Sequence, residues 1–227
     1  LIIGIIRAVL SFSFVLSASE MVAARCKDKA AAGVDWARCN VQMIHLEDVD
    51  LSGANLAGAF VSGTVLEGSK LAGANFQMAE LVRTSFKGAD MTGANFEKAL
   101  SARSAFDSAM LRNARLHKVE FHRVSFAGAD LTGADLSEGD FIRNDFTRAR
   151  LDGVNLRRAT MPRAIFQGAS VKNASFKGAY MYRARFEGTD LSAAKDLTQD
   201  QLNDACGDNS TKLPPELTKP SHWPCQD

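Results

Sequence analysis

The sequence predicts an all-β solenoid, and three regularities predict it. From Leu46 to Leu191 every fifth residue is Leu, Phe, Met or Val in 29 of 30 positions, and the exception is Ser101. Eleven of the fourteen Phe fall in this column, so the period is not a by-product of an apolar composition. Two residues before each of these stands a small residue, Ala in 18 of the 30 cases, and Gly is common two residues after, as at Gly53, Gly73, Gly93, Gly133 and Gly153. A period of five fits neither the 3.6 of a helix nor the 2 of a strand, so the chain must turn a corner every five residues. If four short sides close one coil, the large and the small residue of each side point inward and the other three face solvent. Coils stacked by backbone hydrogen bonds at about 4.8 Å set each side chain over the one twenty positions earlier, giving about 7.5 coils and a rod roughly 36 Å long.

The units Ala89-Asp90-Met91-Thr92-Gly93 and Ala134-Asp135-Leu136-Ser137-Glu138 resemble the tandem motif of the pentapeptide-repeat family, small, Asp or Asn, Leu or Phe, polar, Gly or polar. The resemblance spans about 150 residues and implies the family's fold, a right-handed quadrilateral β-helix. Handedness and cross-section come from that resemblance, whereas the inward pair and the stacking follow from the spacing.

Residues 1–24 read as a secretory signal peptide. Arg7 precedes the apolar run Ala8 to Leu16, and small residues at Ser17, Ala18 and Ser19 and again at Val22-Ala23-Ala24 give cleavage points near 19 or 24. The apolar stretch is too short to cross a bilayer, so the mature chain is expected to carry no transmembrane segment. Residues 25–43 read as an N-terminal cap and 44–195 as the repeat region. After Leu191 the period stops, and Thr198-Gln199-Asp200-Gln201 reads as a capping box opening a short helix to about Ala205, with Gly207 as terminator, within a C-terminal cap of residues 196–227. Leu197 and Leu202 would cover the last coil, and the ending from Leu197 to Cys225 resembles that of secreted family members.

All four cysteines lie in the caps. Their spacings are long and the four histidines are scattered, which disfavours a zinc site. Disulfides Cys26 to Cys39 and Cys206 to Cys225 are the economical pairing, each stapling a cap with little core of its own. With the leader, they place the protein outside the cytoplasm, in a bacterial periplasm or extracellular space.

Read at twenty-residue spacing, one side carries six consecutive Phe, from Phe86 to Phe186, able to stack along the core. The side holding Val61, Leu81, Ser101, Phe121, Phe141, Met161 and Met181 is irregular, and Ser101 is expected to leave a hole or a hydrated spot. After this side the corner column reads Gly63, then Arg83, Arg103, Arg123, Arg143, Arg163 and Arg183, six arginines in register. Because side chains disfavour positive φ, a different turn type is expected along this edge.

This ladder is the strongest functional signal. Glu80, Glu120 and Asp140 stand three residues before Arg83, Arg123 and Arg143, so local ion pairing could satisfy half of it and leave only a soluble, charged face. Alternatively the ladder meets a partner, and the apolar neighbours Phe60, Val82, Leu100, Ile142, Tyr180 and Tyr182 favour that reading, since aromatics beside arginines anchor interfaces.

No GxGxxG, Walker A, GxSxG or HExxH motif occurs, and a rod without inserted loops has no concave site, so the protein is read as no enzyme and with no cofactor or metal. The outward Asp and Asn, such as Asn55, Asn75, Asn95 and Asp135, are explained by bonding to nearby backbone. What remains is an exported scaffold offering flat faces to a protein or anionic envelope component, a second copy of the chain included. The alternative is polyanion binding along the arginine edge, to lipopolysaccharide, extracellular nucleic acid or a phosphorylated glycan. Some family members act on DNA topoisomerases by resembling a duplex. Here residues 44–195 hold 20 Lys and Arg against 17 Asp and Glu, the wrong sign for a DNA mimic.

Overall fold

The computed structural model describes residues 26–225; the leader read in residues 1–24 lies outside the described residues. The chain is a β-helix solenoid. Parallel bridges join residues twenty apart without a slip from Asp35↔Asn55 to Ser175↔Lys195, and the backbone turns through a positive-φ corner at most five-residue steps. The hydrogen-bond accounting explains why this backbone is stable. On a typical side, the Leu56 N–H donates to the Asn75 carbonyl (2.7 Å), the Asn75 N–H returns to the Ala54 carbonyl (2.9 Å), and the corner Gly58 N–H reaches the Gln77 carbonyl (2.7 Å). A turn bond from the Ala59 N–H to the Leu56 carbonyl (3.0 Å) closes the corner. Backbone groups are thus paired between coils, as burial demands.

The expectation of a different turn at the arginines is corrected. Arg83, Arg103, Arg123, Arg143 and Arg163 have φ between 56° and 58°, and Arg183 has 54°, the same left-handed corner that glycine makes elsewhere, as at Gly53 with φ 65°. Nineteen non-glycine residues among those described adopt it. Each costs about 1–2 kcal/mol against a right-handed conformation, and the ladder imposes the cost. Each arginine's N–H donates to a carbonyl of the next layer, Arg83 to Ala102 (2.9 Å) and Arg163 to Tyr182 (2.8 Å) among them, so another turn would orphan these donors.

Inside, the large and small residues of every side from Leu51 to Leu191 are buried. Phe86, Phe106, Phe126, Phe146, Phe166 and Phe186 stack with centroids 4.7–5.1 Å apart, as their column implies. The irregular side is the one that forms regular strand. β1 (Leu100–Ala102) pairs in parallel with β2 (Glu120–His122), Ser101 opposite Phe121. Ser101 is buried, and its hydroxyl donates to the Leu81 carbonyl (3.3 Å). The Phe121 ring leans toward the coil below, 5.9 Å from Phe106 and 6.4 Å from Phe96, the residues flanking Ser101. Phe121 thus brings an aromatic ring beside the position where the serine side chain falls short.

The ladder starts earlier than the sequence boundary suggests. Trp36 and Val41 are buried and continue the inward column, and Asp35 and Asn40 are already bridged to Asn55 and Phe60. The Cys26–Cys39 disulfide (Cα–Cα 5.4 Å) ties the entering segment to this first layer. At the other end α1 (Gln199–Asp204) begins at Thr198 with the capping box in place, and Leu202 is fully buried. It ends at Ala205 in an extended conformation, not at Gly207. Gly207 is buried, and a Cβ there would stand 2.6 Å from Trp223 Cε3, so it makes room for the indole. The chain then returns to the solenoid, bridging Arg185↔Cys206 and Asp190↔Lys212. The Cys206–Cys225 disulfide (Cα–Cα 5.5 Å) pins the tail over it.

Candidate functional site

The stacking converts a twenty-residue sequence period into a straight edge. Arg83, Arg103, Arg123, Arg143, Arg163 and Arg183 are all exposed, one per layer, at the corner that follows the side bearing Ser101. Toward that side they are bordered by Val82, Ala102, His122, Ile142, Pro162 and Tyr182; toward the next, by Ser85, Ala105, Ser125, Asp145, Ile165 and Arg185. Both borders are nearly free of carboxylates.

The local ion pairs that would neutralise the edge do not form. Asp140 turns to His122 (Oδ2 to Nε2, 3.2 Å) rather than to Arg143. Among the described residues, Arg83, Arg103, Arg123, Arg143 and Arg163 have no carboxylate within ion-pair reach; acidic side chains pair elsewhere, Glu97 with Arg115 (3.4 Å) and Asp130 with Arg112 (2.7 Å). On the opposite margin of the same side, Glu138 meets both Lys118 (3.5 Å) and Arg158 (3.9 Å) and offsets part of their charge. From Arg83 to Arg163 the arginine edge therefore keeps its full positive charge, whereas the opposite margin is partly offset.

The exposed apolar residues are concentrated on the same side. Phe60, Val82, Leu100, Tyr180 and Tyr182 lie on it, and Met43 and Met78 stand at its two corners; of the large hydrophobics exposed among the described residues, only Ile44 and Met110 lie elsewhere. Tyr180 and Tyr182 present parallel rings, 7° apart in plane, with centroids at 6.4 Å. Shallow grooves run along both flanks of the arginine edge. One of about 460 Å³ is lined by His122, Arg123, Ile142, Arg143, Pro162, Arg163 and Tyr182. The other, about 380 Å³, is lined by Arg143, Arg163, Ile165, Arg183, Arg185, Glu187, Cys206 and Cys225. A third, about 590 Å³, lies where Tyr182 and Arg183 meet His222 and Trp223 of the cap.

The sequence singled out the arginines and the two tyrosines; the structure brings Tyr182 together with Arg123, Arg143 and Arg163 in one groove and leaves Arg83 and Arg103 farther along the edge. Sequence reasoning missed Pro162, Ile165, Arg185 and Trp223. The first three lie one or two positions from an arginine at twenty-residue spacing and could have been found by extending the columns, whereas Trp223 arrives through the fold of the cap. The histidines do not converge. His45 pairs with Glu47 (2.9 Å), His117 with the Ser137 hydroxyl (3.0 Å), and His122 with Asp140. Among the described residues no cluster of three or more His, Cys, Asp or Glu could hold a metal ion, and no helix is long and apolar enough to cross a membrane.

Family models match the repeat region. A family model described as "Pentapeptide repeat region" matches residues 119–195, and one described as "Pentapeptide repeats (8 copies)" matches 37–68, 50–88, 69–100 and 89–126. Among solved structures, the chain is similar to HetL, a pentapeptide repeat protein involved in heterocyst differentiation regulation from the cyanobacterium Nostoc sp., at 25% identity, covering 78% of this chain and 86% of that one with a TM-score of 0.31. A pentapeptide repeat protein of the Arabidopsis thaliana thylakoid lumen is 34% identical over 53% of this chain and 79% of its own, with a TM-score of 0.34. Full-length QnrB1, a plasmid-mediated fluoroquinolone resistance protein, is 16% identical over 75% and 94%, with a TM-score of 0.44. No curated protein matches.

Proposed function

The chain belongs to the pentapeptide repeat family, and from that premise we propose that it is a non-enzymatic, exported scaffold that binds an anionic macromolecule on the side bearing Tyr180 and Tyr182 and along the adjoining arginine edge. One observation carries the reading: the exposed apolar side chains and the uncompensated arginines share one side of the solenoid. A patch of this kind marks an interaction surface, and arginine with tyrosine is the usual composition of its anchors. A second copy packed with this edge against its own would set like charges together, so the charge favours a partner of opposite sign. The surplus of cations counts against a DNA mimic. Export is supported by two disulfides, which persist in oxidising compartments, and by the signal-like composition of residues 1–24. The same reading takes the solenoid as a right-handed quadrilateral of about 7.5 coils, which sets the length of the face.

Site-specific photocrosslinking in the native compartment tests it. A photoreactive residue at Ile142 or Tyr182 should give adducts, and one at Thr132 or Ser170, on another side, should give none. Adducts from the second pair alone, or equally from both, would overturn the assignment.

A further inference from the structure

The edge carries a length scale as well as a charge. Its six guanidinium-bearing corners recur with the coil spacing, about 4.8 Å per layer and roughly 24 Å in all. A polyanion lying along the axis gains most when its charges keep step with that interval. Counted per residue along the axis, a stacked nucleic-acid strand advances 3.4 Å per phosphate and an extended peptide about 3.3 Å per side chain; neither keeps step. An extended chain of 1,4-linked hexopyranoses does, because each sugar advances by nearly the spacing between adjacent strands. Oxidised at C6, each sugar also carries one carboxylate.

We infer that the arginine edge holds an extended polyuronate, a linear polysaccharide with one carboxylate per sugar, laid along the solenoid with one sugar per coil. The inference rests on the proposed binding surface and adds the ligand's chemical class. Three further features fit it. Successive sugars of such a chain turn their carboxylates to alternate sides, so carboxylates on one side recur every second sugar; the match needs arginines that reach to either flank, and Arg143 and Arg163 line grooves on both. The guanidinium fork pairs with a carboxylate through two parallel hydrogen bonds, and Arg83, Arg103, Arg123, Arg143 and Arg163 have no internal carboxylate to displace. The pyranose ring has an apolar C–H face, and beside the arginines Ile142, Pro162 and Tyr182 form an apolar border on which it can rest. Glu80, Glu120 and Asp140 stand in the far column of that side, with Asp140 engaged by His122, so the anion's path stays along the edge.

The test uses the full-length, disulfide-intact protein and fluorescence anisotropy with a labelled hexamer of mannuronic acid. Comparators are cellohexaose, a hyaluronate oligomer with one carboxylate per two sugars, and single-stranded DNA of equal charge. The expected result is salt-sensitive binding of the mannuronate hexamer, about tenfold or more tighter than hyaluronate at equal carboxylate, and none of cellohexaose. The triple variant Arg103→Gln, Arg143→Gln and Arg163→Gln should lose about tenfold or more and show a shallower salt dependence. The matching triple Lys variant should keep most of the salt dependence and still lose severalfold, because the fork is gone. DNA binding as tight as or tighter than the mannuronate hexamer, no binding of that hexamer, or unchanged affinity in the Gln variant would each overturn the inference. Crosslinks that still arise from Ile142 and Tyr182 after such a result would leave the binding surface standing and remove only the ligand class.

Discussion

Ser101 shows how a residue that breaks a repeat becomes part of its packing. The aliphatic or aromatic residue its column calls for is missing, yet the Phe121 ring comes within 5.9 Å of Phe106 and 6.4 Å of Phe96, the neighbours that residue would touch. Restoring the consensus therefore overpacks the core. Ser101→Leu should destabilise the protein by about 1–3 kcal/mol, read as a lower denaturation midpoint at unchanged m-value; a gain in stability would mean that the site holds free volume. Gly139 makes the same point from the small column. A Cβ there would meet Phe141 Cε2 at 2.6 Å and Val119 Cγ2 at 3.2 Å, so Gly139→Ala should cost about 1–3 kcal/mol in the same assay. Gly153 sits at a corner with φ 68° and no heavy atom within 4 Å of a built Cβ. Asn populates that conformation readily, so Gly153→Asn should cost less than about 1 kcal/mol.

At the scale of elements, the repeat region was legible in the sequence because one physical rule fixes it: the large inward position must be apolar in nearly every layer, and the register then places all the others. The outward Asn column was legible for the same reason. Asn55, Asn75 and Asn95 each accept the N–H two residues on and donate an amide hydrogen to the layer below, at 3.0, 3.3 and 3.3 Å. The caps were legible only as far as local signals reach. Thr198 and Gln201 announce the helix, but the return of the chain onto the solenoid at Cys206 and Lys212 was hidden, since α1 stretches the twenty-residue interval to 21 and one more residue between Cys206 and Lys212 stretches it to 22. The retained signal is Thr211, whose hydroxyl donates to the Phe186 carbonyl (2.9 Å) as Thr189 does to Phe166 (2.6 Å) one layer earlier. The cap carries two predictions. Replacing Cys206 and Cys225 together by Ser should cost about 3 kcal/mol on loop-entropy grounds, with faster amide exchange confined to the last layers; loss of protection throughout would show that the cap nucleates the whole rod. The second concerns Asp208, whose carboxylate accepts from the Ser210 hydroxyl, the Gly188 N–H and the Thr211 N–H, against the desolvation of the site, and is held down to about 2 from an ordinary 3.8. A carboxyl depressed on folding stabilises fully above its unfolded value and loses that contribution as pH falls. Cap stability should therefore decline between about pH 4 and pH 2, and Asp208→Asn should flatten the decline.

For the molecule as a whole, a net charge of +1 conceals an organised field. The site was legible as a list of arginines but not as a charged edge, because the sequence offered Glu80, Glu120 and Asp140 as partners and only the fold decides whether they reach. Like charges one layer apart repel each other without compensation along Arg83, Arg103, Arg123, Arg143 and Arg163, and solvent ions screen that repulsion. A solenoid is nearly one-dimensional, so strain along one edge is shared by every layer that carries it. The thermal midpoint should therefore rise with ionic strength at low salt, and the Arg103→Gln, Arg143→Gln, Arg163→Gln variant should respond less steeply from a higher starting value. A bound polyanion should mimic salt at far lower concentration, because binding to the folded edge alone stabilises by mass action. A midpoint that is indifferent to salt, in a wild-type protein that the Gln variant does not exceed, would show that the arginines are already neutralised where they stand.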